Sequence, residues 1–110
     1  MPDKVDESNA DALLELGVSL CRRAQWREAI EPLQRAAALD AAKAMVHYHL
    51  GEAYNHTDQL PEALAAYEAA ASLEPEHWRA LQGMGIVLDR LARPEDATAA
   101  YQRAREAQRG

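Results

Sequence analysis

The chain has 110 residues, 27% of them charged and 5% aromatic, with 12 Lys or Arg against 18 Asp or Glu for a formal charge of −6. That length suits one domain, and the acidic surplus argues against nucleic acid or an anionic membrane as partner, since both demand a basic face. No run reaches the ~18 consecutive apolar residues of a membrane span, and the single cysteine, Cys21, excludes an internal disulfide and fits a reducing compartment.

Residues 1–9 read as a polar lead-in, and their Met-Pro-Asp-Lys-Val-Asp-Glu start lacks the regions of a secretory signal, so the expected location is cytoplasmic. Ser8 and Asn9 are N-cap candidates for a first helix over about residues 10–23. At ~100° per residue, Leu13, Leu16, Gly17 and Leu20 fall on one stripe of it. A second helix over about residues 27–39 carries Ala29, Ile30, Leu33, Ala36, Ala37 and Leu39. Pro32 lies inside it and removes one backbone hydrogen bond, which predicts a local kink rather than an end. The third helix repeats the stripe with His47, Leu50, Gly51 and Tyr54, and the fourth, entered at Pro61, carries Ala63, Leu64, Tyr67, Ala70, Ala71 and Leu73. After a break at Glu74, Pro75 and Glu76, the fifth presents Leu81, Met84, Gly85 and Leu88. The sixth opens at Pro94, and its columns turn polar or small at Thr98, Arg105 and Ala107, as a last helix requires.

These elements are one motif written three times. Gly17, Gly51 and Gly85 stand 34 residues apart, as do Ala29, Ala63 and Ala97, then Ala36, Ala70 and Ala104, with Leu33, Tyr67 and Tyr101 midway. Glycine inside a helix is worse than alanine by roughly 1 kcal/mol, so three copies imply a packing reason. The pattern resembles the tetratricopeptide repeat: a large residue, a small one, then Tyr or Leu on the first helix, and Ala, an aromatic, Ala and a closing proline on the second. Read from Ala10, Ala44 and Trp78, the copies span 10–43, 44–77 and 78–110. Departures are His47 in a leucine column, and Ala41 and Arg109 where only Pro75 keeps the proline. The resemblance implies an all-α, right-handed superhelical solenoid of three antiparallel helix-turn-helix repeats over residues 10–110, and a non-enzymatic module that binds a peptide or helical segment of another protein.

In proteins of this family, repeat positions 2, 5, 9 and 12 line the concave groove; they point roughly 130° from the core stripe. Here they are Asp11, Leu14, Val18 and Cys21, then Met45, Tyr48, Glu52 and Asn55, then Arg79, Gln82, Ile86 and Asp89. Leu14, Val18, Met45, Tyr48 and Ile86 make an apolar patch with a polar rim, with Tyr48 as its central anchor. The plainer reading pairs Leu14 with Met45 and Tyr48 with Ile86 as packing between repeats. Relatives that clamp a terminal carboxylate place basic and amide groups where this chain has Leu14, Val18, Arg79 and Gly83; only Arg79 fits, so that use is not expected.

Charge is uneven, with 6 basic against 14 acidic residues over 1–77 and 6 against 4 over 78–110, and none of residues 44–77 is Lys or Arg. An acidic middle repeat permits a basic partner, although Glu62, Glu68 and Glu74 also read simply as a solvated outer face. Catalysis finds no support. His47 and His49 are two apart on different helix faces, His56 and His77 fall at helix ends, and Cys21, followed by Arg22 and Arg23, has no histidine base near it in sequence. No metal or cofactor is expected. A monomer is expected, with weak head-to-tail self-association or a scaffold role as the alternative.

Overall fold

The computed structural model describes residues 9–110, which form six helices: α1 (Ala10–Arg22), α2 (Trp26–Leu39), α3 (Ala44–His56), α4 (Leu60–Leu73), α5 (Trp78–Arg90) and α6 (Pro94–Arg109). Of the expected lead-in and caps, residues 1–8, including Ser8, lie outside the described residues. Asn9 does cap α1, its Oδ1 accepting from the backbone N–H of Asp11 at 2.9 Å and of Ala12 at 3.4 Å. Pro61 and Pro94 sit in the first turns of α4 and α6. α2 runs unbroken through Pro32, whose ring is buried.

Each helix packs on the next, and α1 touches α3 and α3 touches α5, whereas α2, α4 and α6 make no contact with one another. The first helices of the three pairs therefore occupy the inner side of a curved stack and the second helices its outer side. Each repeated glycine seats a side chain of its partner helix. A Cβ on Gly17 would lie 2.4 Å from Leu33, one on Gly51 2.6 Å from Tyr67, and one on Gly85 2.5 Å from Tyr101. The close approach is of a large side chain to a helix backbone, which is how Leu33 and Tyr67 become buried and Tyr101 partly buried against neighbours only a helix diameter away.

Two corrections to the sequence stripe have one cause. Leu16, assigned to the core, is 50% exposed, while its counterparts Leu50 and Met84 are buried. That column faces the second helix of the preceding pair, and among the described residues no helix precedes α1. Conversely Val46, Ala53, Ala80 and Val87, outside the stripe, are buried because α3 and α5 are covered from two sides. The outer face of α6 is polar as expected, with Thr98 and Arg105 exposed.

The turns inside the pairs share a feature the sequence pattern concealed. Ala24, Asp58 and Ala92, again 34 apart, adopt φ of 59°, 63° and 60°. After each, the next backbone N–H returns to the carbonyl of Leu20, Tyr54 or Leu88 at 2.8, 2.8 and 2.9 Å. The left-handed residues themselves donate to Cys21, Asn55 and Asp89. Both bonds together make a Schellman C-cap, usually built on glycine, here built on two alanines and an aspartate. Arg90 braces the middle turn, donating to the Asn55 carbonyl at 2.8 Å and Oδ1 at 2.7 Å and pairing with Asp58.

Candidate functional site

The inner side of α3 presents Tyr48, Glu52 and Asn55 on one face, and α5 opposes them with Arg79, Gln82 and Ile86. These six expected groove residues line one cavity of about 260 Å³. Four residues not anticipated complete its walls: His56, Tyr67, Trp78 and Gly83. Tyr67 belongs to the outer helix α4 and reaches the cavity because its ring passes between Gly51 and Gly83, where a Cβ at residue 83 would be 2.5 Å from Cζ. Gly83 falls outside the 34-residue glycine column, and its counterparts are Glu15 and His49, so only the glycine itself could have drawn attention to this position.

The other expected groove residues lie elsewhere. Asp11 pairs with Lys43 at 3.0 Å, and Asp89 accepts the Tyr101 hydroxyl at 3.1 Å. Leu14 is half-buried against the core of the first pair, Val18 is half-buried, and Met45 is 46% exposed outside the cavity. Cys21 is fully part of the core. Of the expected apolar patch, the residues inside this cavity are Tyr48 and Ile86, the latter 42% exposed.

Glu52 is the electrostatic centre. Its Oε2 accepts the Tyr48 hydroxyl at 3.1 Å and its Oε1 lies 3.1 Å from His49 Nδ1. Burial alone would raise its pKa, but the bonds from His49 and Tyr48 and the neighbouring His56 bring it below the ordinary glutamate value. Glu52 is therefore a carboxylate at neutral pH. Burial, then the Glu52 charge and hydrogen bond, push the Tyr48 phenol up to about 12, so it remains a neutral donor. The Nε2 of His49 is buried and has no hydrogen-bond partner among the described residues.

Aromatic groups frame this centre. The Tyr48 ring lies 5.0 Å from His77 and 6.1 Å from Tyr67, and His56 stacks on Trp26 at 3.9 Å and 5°. Arg79 lies over Trp78 at 5.1 Å. The histidines placed at helix ends thus have structural partners, His56 in the Trp26 stack and His77 through Nδ1, which caps α5 by accepting from Ala80 N–H at 3.1 Å; His47, within α3, bonds the Ala41 carbonyl through Nε2 at 2.9 Å. Among the described residues no three His, Cys, Asp or Glu gather as a metal site, and no helix is long and apolar enough to cross a membrane.

The family model described as tetratricopeptide repeat matches residues 11–43. Among solved structures, MamA is similar, with 29% identity and a TM-score of 0.87 over 94% of this chain and 60% of that one. YrrB, described as a TPR protein with an unusual peptide-binding site, gives 26% identity and a TM-score of 0.86 over 91% of this chain and 52% of its own. A probable UDP-N-acetylglucosamine–peptide N-acetylglucosaminyltransferase SPINDLY from Hordeum vulgare is 31% identical over 83 residues, which is 76% of this chain but 9% of that protein. The chain thus spans three fifths or less of these solved proteins and a small fraction of the barley one. The all-α solenoid of three antiparallel helix pairs is the fold it shares with the solved structures.

Proposed function

We propose, from the premise that the chain is a tetratricopeptide-repeat protein, that it is a non-enzymatic interaction module which binds an extended or helical segment of a partner protein between α3 and α5. The observation that carries this reading is the cavity, whose lining includes six residues at groove positions of the repeat, Glu52 and Ile86 among them. A peptide-binding site in YrrB, a protein of like fold, supports it. The single buried cysteine suits a cytoplasmic setting. Replacing both Tyr48 and Ile86 with alanine tests it: capture of a cellular partner on the immobilised protein should be lost while the helix content and melting stay normal. Retained capture by such a folded variant would refute the groove.

The exposed edge of α1 at Leu16 favours a second reading, homotypic assembly of one copy's first pair on another's last. Light scattering over a wide concentration range separates the two. A mass that stays at one chain removes assembly.

A further inference from the structure

Glu52 sets the chemistry of whatever enters the cavity. It is a half-buried carboxylate whose oxygens are oriented by Tyr48 and His49, and each oxygen retains a free lone pair. Among the described residues no Lys or Arg pairs with it, although Lys43, Arg90 and Arg93 all have carboxylate partners elsewhere. Arg79, the one Lys or Arg on the cavity wall, is exposed and directed onto Trp78. The stretch 44–77 holds no Lys or Arg, so nothing in α3 or α4 competes for the site. The cavity wall also carries the rings of Tyr48, Tyr67 and Trp78, and aromatic faces attract cations, as Arg79 over Trp78 illustrates. At about 260 Å³ the cavity is smaller than the ~300–1,000 Å³ of small-molecule sites, and it suits one long side chain of a segment lying along the groove.

We propose that this cavity is a specificity pocket for a lysine or arginine side chain of the bound segment, with Glu52 as its counter-ion. The inference rests on the groove reading and deepens it. A charge-assisted bond from ammonium or guanidinium to Glu52 would complete the carboxylate's coordination while the alkyl stem lies on Tyr48 and Ile86. The partner is thus a protein segment with a basic residue at one fixed position.

The probe is a displayed library of random peptides, selected on the full chain. Selected peptides should share one Lys or Arg. Exchanging that residue for norleucine or citrulline should weaken binding by ~10- to 100-fold, and the exchange should matter little against Glu52→Gln, since the two changes remove the same pair. Loss of binding with Glu52→Gln alone is not sufficient, because that variant could disturb Tyr48; the ligand exchange on unaltered protein keeps the test decisive. Peptides that need Tyr48 and Ile86 but share no cation, or that share an acidic residue read by Arg79, overturn the proposal and leave the groove standing. No peptide sensitive to the Tyr48 and Ile86 double variant overturns both.

Discussion

The Tyr67 ring lies against Gly83 of the next repeat so closely that a Cβ there would come within 2.5 Å of Cζ. Its other edge rests on Gly51, so one side chain of α4 is gripped by the two inner helices that form the cavity. Gly83→Ala must push the ring aside, and overpacking of this kind destabilises by ~1–3 kcal/mol. In a Tyr67→Leu background the collision with residue 83 disappears, because the Cζ and Cε atoms that crowd it are absent from leucine. Urea melts of the two single variants and the double should therefore be non-additive by ~1 kcal/mol or more. Additive losses would mean that the ring does not hold this position in solution.

Alanine at φ near +60° is strained, and Ala24 and Ala92 are held there by the caps that follow α1 and α5. Glycine adopts this conformation without penalty, so Ala24→Gly and Ala92→Gly should each stabilise by ~1 kcal/mol. That corresponds to a rise in Tm of about 4–8 °C for a domain of this size. Asp58→Gly should gain less or nothing, because it also removes the carboxylate that Arg90 holds. Thermal melts of the three variants give the order directly; a fall in Tm for Ala24→Gly and Ala92→Gly would contradict the left-handed caps.

Tyr48 and Tyr67 should resist ionisation. Burial first, and Glu52 second, raise both phenols, Tyr48 to about 12 and Tyr67 above the ordinary tyrosine range. A folded pKa raised above the unfolded ~10 contributes stability that is whole below pH ~10 and is lost as the pH climbs through the folded values. Phenolate absorbance should thus stop short of four tyrosines until helical dichroism collapses at high pH. A full phenolate count with the helices intact would refute the burial.

Cys21 should be a poor nucleophile despite Arg22 and Arg23 beside it. Burial, and then the Glu52 charge, push its thiol from 9.0 to about 11. Two pH units correspond to ~100-fold less thiolate, and the core adds steric protection. At neutral pH a disulfide reagent should label it at least that much more slowly in the native protein than in denaturant. Comparable rates would place the thiol outside the core.

The repeat was legible in the sequence because its strongest constraints are local. Gly17, Gly51 and Gly85 recur with the residues they seat, Leu33, Tyr67 and Tyr101, at fixed separations. Six of the ten cavity residues followed from the same register, since Tyr48, Glu52, Asn55, Arg79, Gln82 and Ile86 need only helical periodicity and a neighbouring repeat to converge. What escaped were features that depend on which neighbour exists. Leu16 and Leu50 occupy the same column, and among the described residues only Leu50 of the two has a preceding helix to cover it. Val46 and Val87 are buried for the same reason, and no single-helix stripe reveals a second buried side. Gly83 and Tyr67 were separately visible, but their contact joins two repeats and leaves no periodic mark. Ala24 and Ala92 gave no warning of a left-handed backbone, because alanine rarely stands there.

Among the described residues no helix touches a helix beyond the second one along from it. Loops closed during folding are therefore short, and the entropic barrier of bringing distant segments together is largely avoided. Such a chain should fold fast, with a seed in any adjacent pair spreading outward by docking one helix at a time. Among the described residues the pair α3–α4 has helices on both flanks, whereas each end pair has a helix on one flank only. Protection against hydrogen exchange should accordingly be greatest in the middle and thin towards both ends. The amides that form the floor of the cavity on α3 would then be among the slowest in the molecule, so a partner would meet a surface already set before it arrives.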